Sequence, residues 1–211
     1  MTVESRVGCE GARENGGEAY FSIDIEAAGP IPADYSMLSV GACLIGSPEC
    51  TFYAELMPLN DNHLEAALEI AGLPMAYLWK RGTDPAVAMS DFANWVESAT
   101  PPGSRPVFVA FNAPFDWMFT HYYFMRFLGR DPFGVSALDI KAFYMGLMGG
   151  DWAGTSKRFI DPRFLPSRPH THHALDDALW QAEVFENLLA YQREHRAGGV
   201  ARQEERRDHA S

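Results

Sequence analysis

The chain has 211 residues, 47% of them hydrophobic and 21% charged, with a formal net charge of −11. That length and composition suit one domain with a real core; no apolar run of about 18 or more residues offers a membrane span, and the N-terminus shows no signal-peptide pattern. Cys9, Cys43 and Cys50 make neither a dense disulfide framework nor a zinc-ribbon spacing, so a reduced, cytoplasmic setting is expected, and the acidic balance argues against broad binding to duplex nucleic acid.

Residues 1–18 mix Glu, Arg and Gly without apolar periodicity and are expected as a mobile tail. Ala19 to Ile25 reads as a strand, bounded by Asn15-Gly16-Gly17 and Gly29-Pro30. Side chains alternate along a strand, so Asp24 and Glu26 share a face while Ile23 and Ile25 point the other way. Adjacent carboxylates repel unless a cation or a proton intervenes; alone, the pair also fits a strand ending in solvent. Strands near 37–45 and 51–56, joined at Gly46-Ser47-Pro48, complete an antiparallel meander. A short helix follows near 62–70 and a longer one at 85–98, with Asp84 as N-cap, Pro85 at its first position and a stripe of Ala88, Phe92, Trp95 and Val96.

The next strand, 107–111, runs into Asn112-Ala113-Pro114-Phe115-Asp116 and an apolar helix over 115–128. Asp116 stands at that junction, where the motif alone also fits an N-terminal capping or dipole role. A short strand near 137–140 and a helix at 141–148 precede a loop broken by Gly149, Gly150, Gly154, Pro162, Pro166 and Pro169. Within it Lys157, Arg158, Arg163 and Arg168 stand against one acid, Asp161; a long basic loop of this kind suits a lid over a site or a solvated surface. His170, His172 and His173 lead into a helix from about Ala174 to Tyr191. At about 100° per residue, Asp177 lines up with Val184 and Leu188 at the edge of the apolar face, whereas Asp176 falls with Glu183 and Asn187 on the polar side. Residues 193–211 are polar and expected as a second tail.

Asp-x-Glu, Asn-x2-Phe-Asp and His-x4-Asp, in this order and on these elements, resemble the DEDDh group of 3′–5′ exonucleases in the ribonuclease H-like superfamily, across roughly residues 19–190. The segment Ala67-Leu68-Glu69-Ile70-Ala71-Gly72 adds to the likeness. The resemblance implies an α/β domain over 19–192, a ribonuclease H-like mixed five-stranded sheet flanked by helices. It implies that Asp24, Glu26, Asp116 and Asp177 hold two divalent cations, Mg²⁺ or Mn²⁺ by their oxygen donors, and that His172 is the general base. Single-stranded DNA or RNA 3′ ends would be the substrate, released as nucleoside 5′-monophosphates, and a homodimer is compatible with the family. Met37 and Leu38 would form a wedge against the terminal bases, and Asn112 and Phe115 would line the nucleotide pocket. Lys157, Arg158, Arg163 and Arg168 would meet phosphates. Relatives carry threonines where this chain has Ala27 and Ala28, so contacts there fall to backbone and packing; they carry histidine where this chain has Phe111. Two other readings stand beside this one: a phosphodiesterase acting on short oligonucleotides or small phosphoesters, and a catalytically silent nucleic-acid-binding domain.

Overall fold

In the computed structural model, residues 3–6, 17–169 and 171–208 are described; Cys9 and His170 lie outside them. Six strands form one mixed sheet: β1 (Val3–Arg6), β2 (Glu18–Ala27), β3 (Met37–Leu44), β4 (Ser47–Glu55), β5 (Arg105–Ala110) and β6 (Ala137–Asp139). Their order is β1-β4-β3-β2-β5-β6. The helices are α1 (Glu65–Ala71), α2 (Met75–Arg81), α3 (Pro85–Ala99), α4 (Ala113–Leu128), α5 (Ile140–Met148) and α6 (Ala174–Asp208).

The expected meander is present, with β3 antiparallel to both β2 and β4, and with β5 and β6 joining beyond β2 in parallel. The sheet has six strands rather than the expected five. The extra one, β1, comes from the segment read as a tail and pairs with the outer edge of β4. An edge strand is held by its ladder hydrogen bonds and needs no apolar periodicity, which is why Val-Glu-Ser-Arg gave no signal. At the other end, the backbone of α6 continues to Asp208 through the second expected tail. The helix α2, which follows Pro74, was not anticipated.

Strand alternation sorts β2 as expected. Phe21, Ile23 and Ile25 enter a core with Phe92, Trp95 and Phe124 of α3 and α4. On the opposite face, the Ser22 hydroxyl donates to the Ala178 carbonyl of α6 at 2.7 Å. There α6 packs Ala182, Phe185 and Leu188 with Cys43 and Val109. Close approach of α6 depends on Gly41 of β3: a Cβ there would lie 2.2 Å from the Leu175 nitrogen. The first turn of α6, which carries Asp177, is therefore laid directly on the sheet. Asp84 caps α3 as expected, accepting from the Ala86 and Val87 N–H groups.

Cys43 is a buried free thiol. Cys50 is disulfide-bonded, a departure from the expectation of reduced cysteines. Among the described residues no helix is long and apolar enough to cross a membrane.

Candidate active site

The strand β2 is the switch point of the sheet, antiparallel to β3 on one side and parallel to β5 on the other. Crevices form beyond the carboxyl ends of strands at such points. Here the crevice is lined by Asp24, Glu26, Asn112, Phe115, Asp116, Lys157, His172 and Asp177, with Ile25 and Phe111. All four acids and the histidine named from the sequence thus converge, although they come from β2, α4, α6 and the turn before α6.

Asp24, Asp116 and Asp177 are held by specific contacts. The Ile25 N–H, between Asp24 and Glu26, donates to Asp116 Oδ1 at 3.1 Å. Asp116 is buried, and its own backbone N–H also bonds to its carboxyl. Asp139 ties two helix starts together, accepting from the Ala113 N–H of α4 at 2.6 Å and the Ala142 N–H of α5 at 2.7 Å. Asp177, 1% exposed, accepts from the Thr171 N–H at 3.0 Å and the His172 N–H at 3.1 Å, one on each carboxylate oxygen. Asp177 therefore both lines the crevice and staples the turn carrying His172. Asp176 points outward toward His173, as helix geometry predicted. His173 stacks on Tyr53 with ring centroids 4.6 Å apart.

Backbone strain is concentrated here. Among the described residues, the non-glycine positions with positive φ are Asn112 at 73° and His172 at 56°, and both line the crevice. Side chains in this left-handed region carry a steric cost that recurs at functional sites.

Electrostatics favour a cation. Burial, reinforced by Asp116, Glu26 and Asp177, pushes the Asp24 carboxyl well above its usual range. Burial and the charge of Asp177 push Glu26 up to about 7. Burial pushes Asp116 up to about 8, against the pull of backbone N–H groups including that of Ile25. Carboxyls so placed hold protons until positive charge offsets their crowding. Donor atoms of Glu26, His172 and Asp177 all lie within 4.8 Å of one another, and with Asp24 and Asp116 beside them the mainly oxygen donor set fits a hard divalent cation.

Two more side chains join the acids and the histidine: Gln181, which was not expected, and Lys157, which was expected as a phosphate contact. Gln181, 1% exposed, donates through Nε2 to Asp24 Oδ1 and accepts the Phe111 N–H at 2.8 Å. It lies one helical turn beyond Asp177, a polar residue inside the apolar stripe of α6, and that misfit was the available signal. Lys157 alone among the loop's four basic residues lines the crevice. Its ammonium lies 5.5 Å and 5.0 Å from the Phe111 and Trp180 ring centroids. Burial lowers its pKa, opposed by the four carboxylates.

Other expected contacts are absent from the crevice. Met37 and Leu38 are fully buried inside β3, with strands on both sides, so neither is a surface wedge. Arg163 pairs with Asp161 and lies 4.7 Å from the Tyr191 ring, and Arg168 reaches Glu183; both fasten the loop to α6. Arg158 is exposed on the loop. Residues 149–169 form a strap of three short 3-10 turns, anchored by buried Thr155, Ile160 and Phe164. Ala27 and Phe115 border a neighbouring apolar hollow with Gly29, Leu64, Ala67 and Ile70.

Fold and crevice together define a ribonuclease H-like nuclease. No protein-family model matches the chain. The 3′–5′ DNA exonuclease Cap18 of Escherichia coli is 43% identical over 168 residues, covering 80% of this chain and 90% of that protein. The nuclease domain of 3′hExo, a DEDDh family member bound to rAMP, shares the fold with a TM-score of 0.67 at 14% identity, over 83% of this chain and 94% of that one. E. coli exonuclease I in complex with a dA16 oligonucleotide has a TM-score of 0.56 at 18% identity, over 85% of this chain and 44% of that longer one. The chain belongs to the DEDDh family of 3′–5′ exonucleases.

Proposed function

We propose that this exonuclease removes nucleoside 5′-monophosphates from the 3′ ends of single-stranded DNA, with two Mg²⁺ or Mn²⁺ ions held by Asp24, Glu26, Asp116 and Asp177. The observation that carries this reading is the convergence of four carboxylates, His172 and Lys157 on one crevice. A silent binding domain would have no use for acids held so far above their usual pKa range. DNA is favoured because the relative at 43% identity is a DNA exonuclease.

The bound cations would neutralise the scissile phosphate and acidify the attacking water. The chain's own groups do the rest. Asp116, tied to the Ile25 N–H, and Asp24, tied to Gln181, present fixed oxygens. His172, exposed at the mouth of the crevice, takes the proton of the attacking water. The water oxygen bonds to phosphorus, the bond from phosphorus to O3′ breaks, and solvent protonates the leaving oxygen. The Lys157 ammonium meets a non-bridging phosphate oxygen, where positive charge is worth most. The hollow beyond Glu26 and Phe115 accepts the terminal base against Leu64 and Ile70, with Phe115 in the pocket-lining role that the resemblance implied. All these groups lie on a single chain, so the chemistry needs no second copy.

The test is digestion of 5′-labelled single-stranded DNA and matched RNA with Mg²⁺, Mn²⁺ or chelator. Stepwise metal-dependent shortening from the 3′ end, lost in Asp24→Ala and faster on DNA, is expected. No shortening of any substrate would overturn the reading, and faster RNA digestion would overturn its DNA preference.

A further inference from the structure

The strap over residues 149–169 buries Thr155, Ile160 and Phe164 yet leaves two of its largest apolar side chains in solvent, Trp152 at 54% and Phe159 at 56% exposure. Each ring has a cation beside it. Lys141 Nζ lies 4.2 Å from the Trp152 centroid, and the Arg158 guanidinium carbon lies 4.7 Å from that of Phe159.

Both pairs are continuous with the crevice. Lys141 Nζ also donates to Asn112 Oδ1 at 3.3 Å, and Asn112 lines the crevice. Phe159 is two residues beyond Lys157, in the same 3-10 turn, and Lys157 lines the crevice as well. The strap's acids are already engaged: Asp151 accepts the Gly154 N–H at 2.9 Å, and Asp161 pairs with Arg163 at 3.0 Å. The strap thus presents exposed rings interleaved with positive charge on a chain whose net charge is −11.

We propose that Trp152 and Phe159 are stacking platforms for bases on the 5′ side of the scissile phosphate, with Lys141 and Arg158 against the intervening phosphates. The proposal rests on the exonuclease reading above and adds the path of the strand. The occupant is a single strand, because unstacked bases have open faces for the rings and phosphates for the cations beside them, whereas duplex DNA keeps its bases covered. Every base has such a face, so the track holds the strand without reading its sequence. The terminal nucleotide then sits in the hollow on the α1 side, and the remainder of the strand leaves across the strap.

Trp152→Ala, Phe159→Ala, the double variant and the conservative Trp152→Phe are compared with the wild type. The substrates are a 5′-labelled dT20 oligonucleotide and the p-nitrophenyl ester of thymidine 5′-monophosphate, which has no upstream strand. Loss of one ring is expected to raise KM for dT20 about tenfold, the scale of one base–aromatic stack. Turnover of the ester stays within about twofold of the wild type, and Trp152→Phe retains most of the dT20 affinity. An unchanged KM for dT20 in the double variant, with the ester still hydrolysed, would overturn the track and leave the exonuclease reading intact. Equal losses on both substrates would make the rings structural and also overturn it. A wild type that cleaves neither substrate removes the exonuclease reading, and the track with it.

Discussion

Glu26 ties the stability of the metal-free protein to pH. Its carboxyl moves from an ordinary value of 4.5 up to about 7 on folding, first through burial and then through the charge of Asp177. Between those two pH values the unfolded chain releases this proton and the folded chain keeps it. The folded state therefore binds more protons, and stability falls as pH rises through the window. The penalty is absent below about pH 4.5 and complete above about pH 7, and at about 1.4 kcal/mol per pH unit it reaches about 3 kcal/mol. For a domain of this size that corresponds to roughly 6–12 °C in melting temperature. Asp24 and Asp116, also raised, steepen the slope in the same direction. Thermal melts of the protein in EDTA at pH 5, 6, 7 and 8 should show a progressive loss. Glu26→Gln removes the titrating group and should recover most of its share at pH 8, flattening the profile. Saturating Mg²⁺ should flatten the wild-type profile too, because a bound cation offsets the repulsion, and should stabilise Glu26→Gln much less. A metal-free wild type that melts at the same temperature at pH 5 and pH 8 would refute this account. So would a Glu26→Gln variant with an undiminished slope.

His172→Ala should lower kcat by about 10²–10⁴-fold while leaving the Mg²⁺-induced thermal shift largely in place; full retained activity would remove His172 as the base. Gln181→Leu keeps the size of a side chain 1% exposed but frees Asp24 and leaves the Phe111 N–H unpaired. It should raise the Mg²⁺ concentration for half-maximal activity by about 10–100-fold, the usual scale for partners of metal-binding groups, measured by metal titration of initial rates. Gly41→Ala places a Cβ 2.2 Å from the Leu175 nitrogen, so α6 must shift off the sheet. Activity should fall steeply, with a lowered melting temperature that Mg²⁺ restores less than in the wild type; normal activity and stability would show that α6 does not need this close approach.

Several features were legible because local periodicity encodes them. Alternation along β2 separated Asp24 and Glu26 from Ile23 and Ile25, and helical phase chose Asp177 over Asp176. The cap at Asp84 and the turn at Gly46 are signals of a few residues and were found where expected. Met37 and Leu38 were misread because a resemblance passes on a role, whereas in this chain both side chains lie within a strand covered on its edges and faces. The strand β1 was missed because pairing at a sheet edge is a property of the neighbour as much as of its own residues.

The sequence by itself determined the faces of Asp24, Glu26 and Asp177, since a period of two or of 3.6 residues needs no distant partner, while Asp116 and His172 joined them only through the resemblance of the three motifs. Tertiary structure alone decided which other groups join them. Gln181 meets Asp24 across 157 positions of chain, Gly41 admits the backbone of Ala174 and Leu175, and Lys157 enters the carboxylate crevice while Arg163 and Arg168 turn to α6. Such contacts arise when separate elements are packed onto one sheet, and no short window of residues carries their distance or direction.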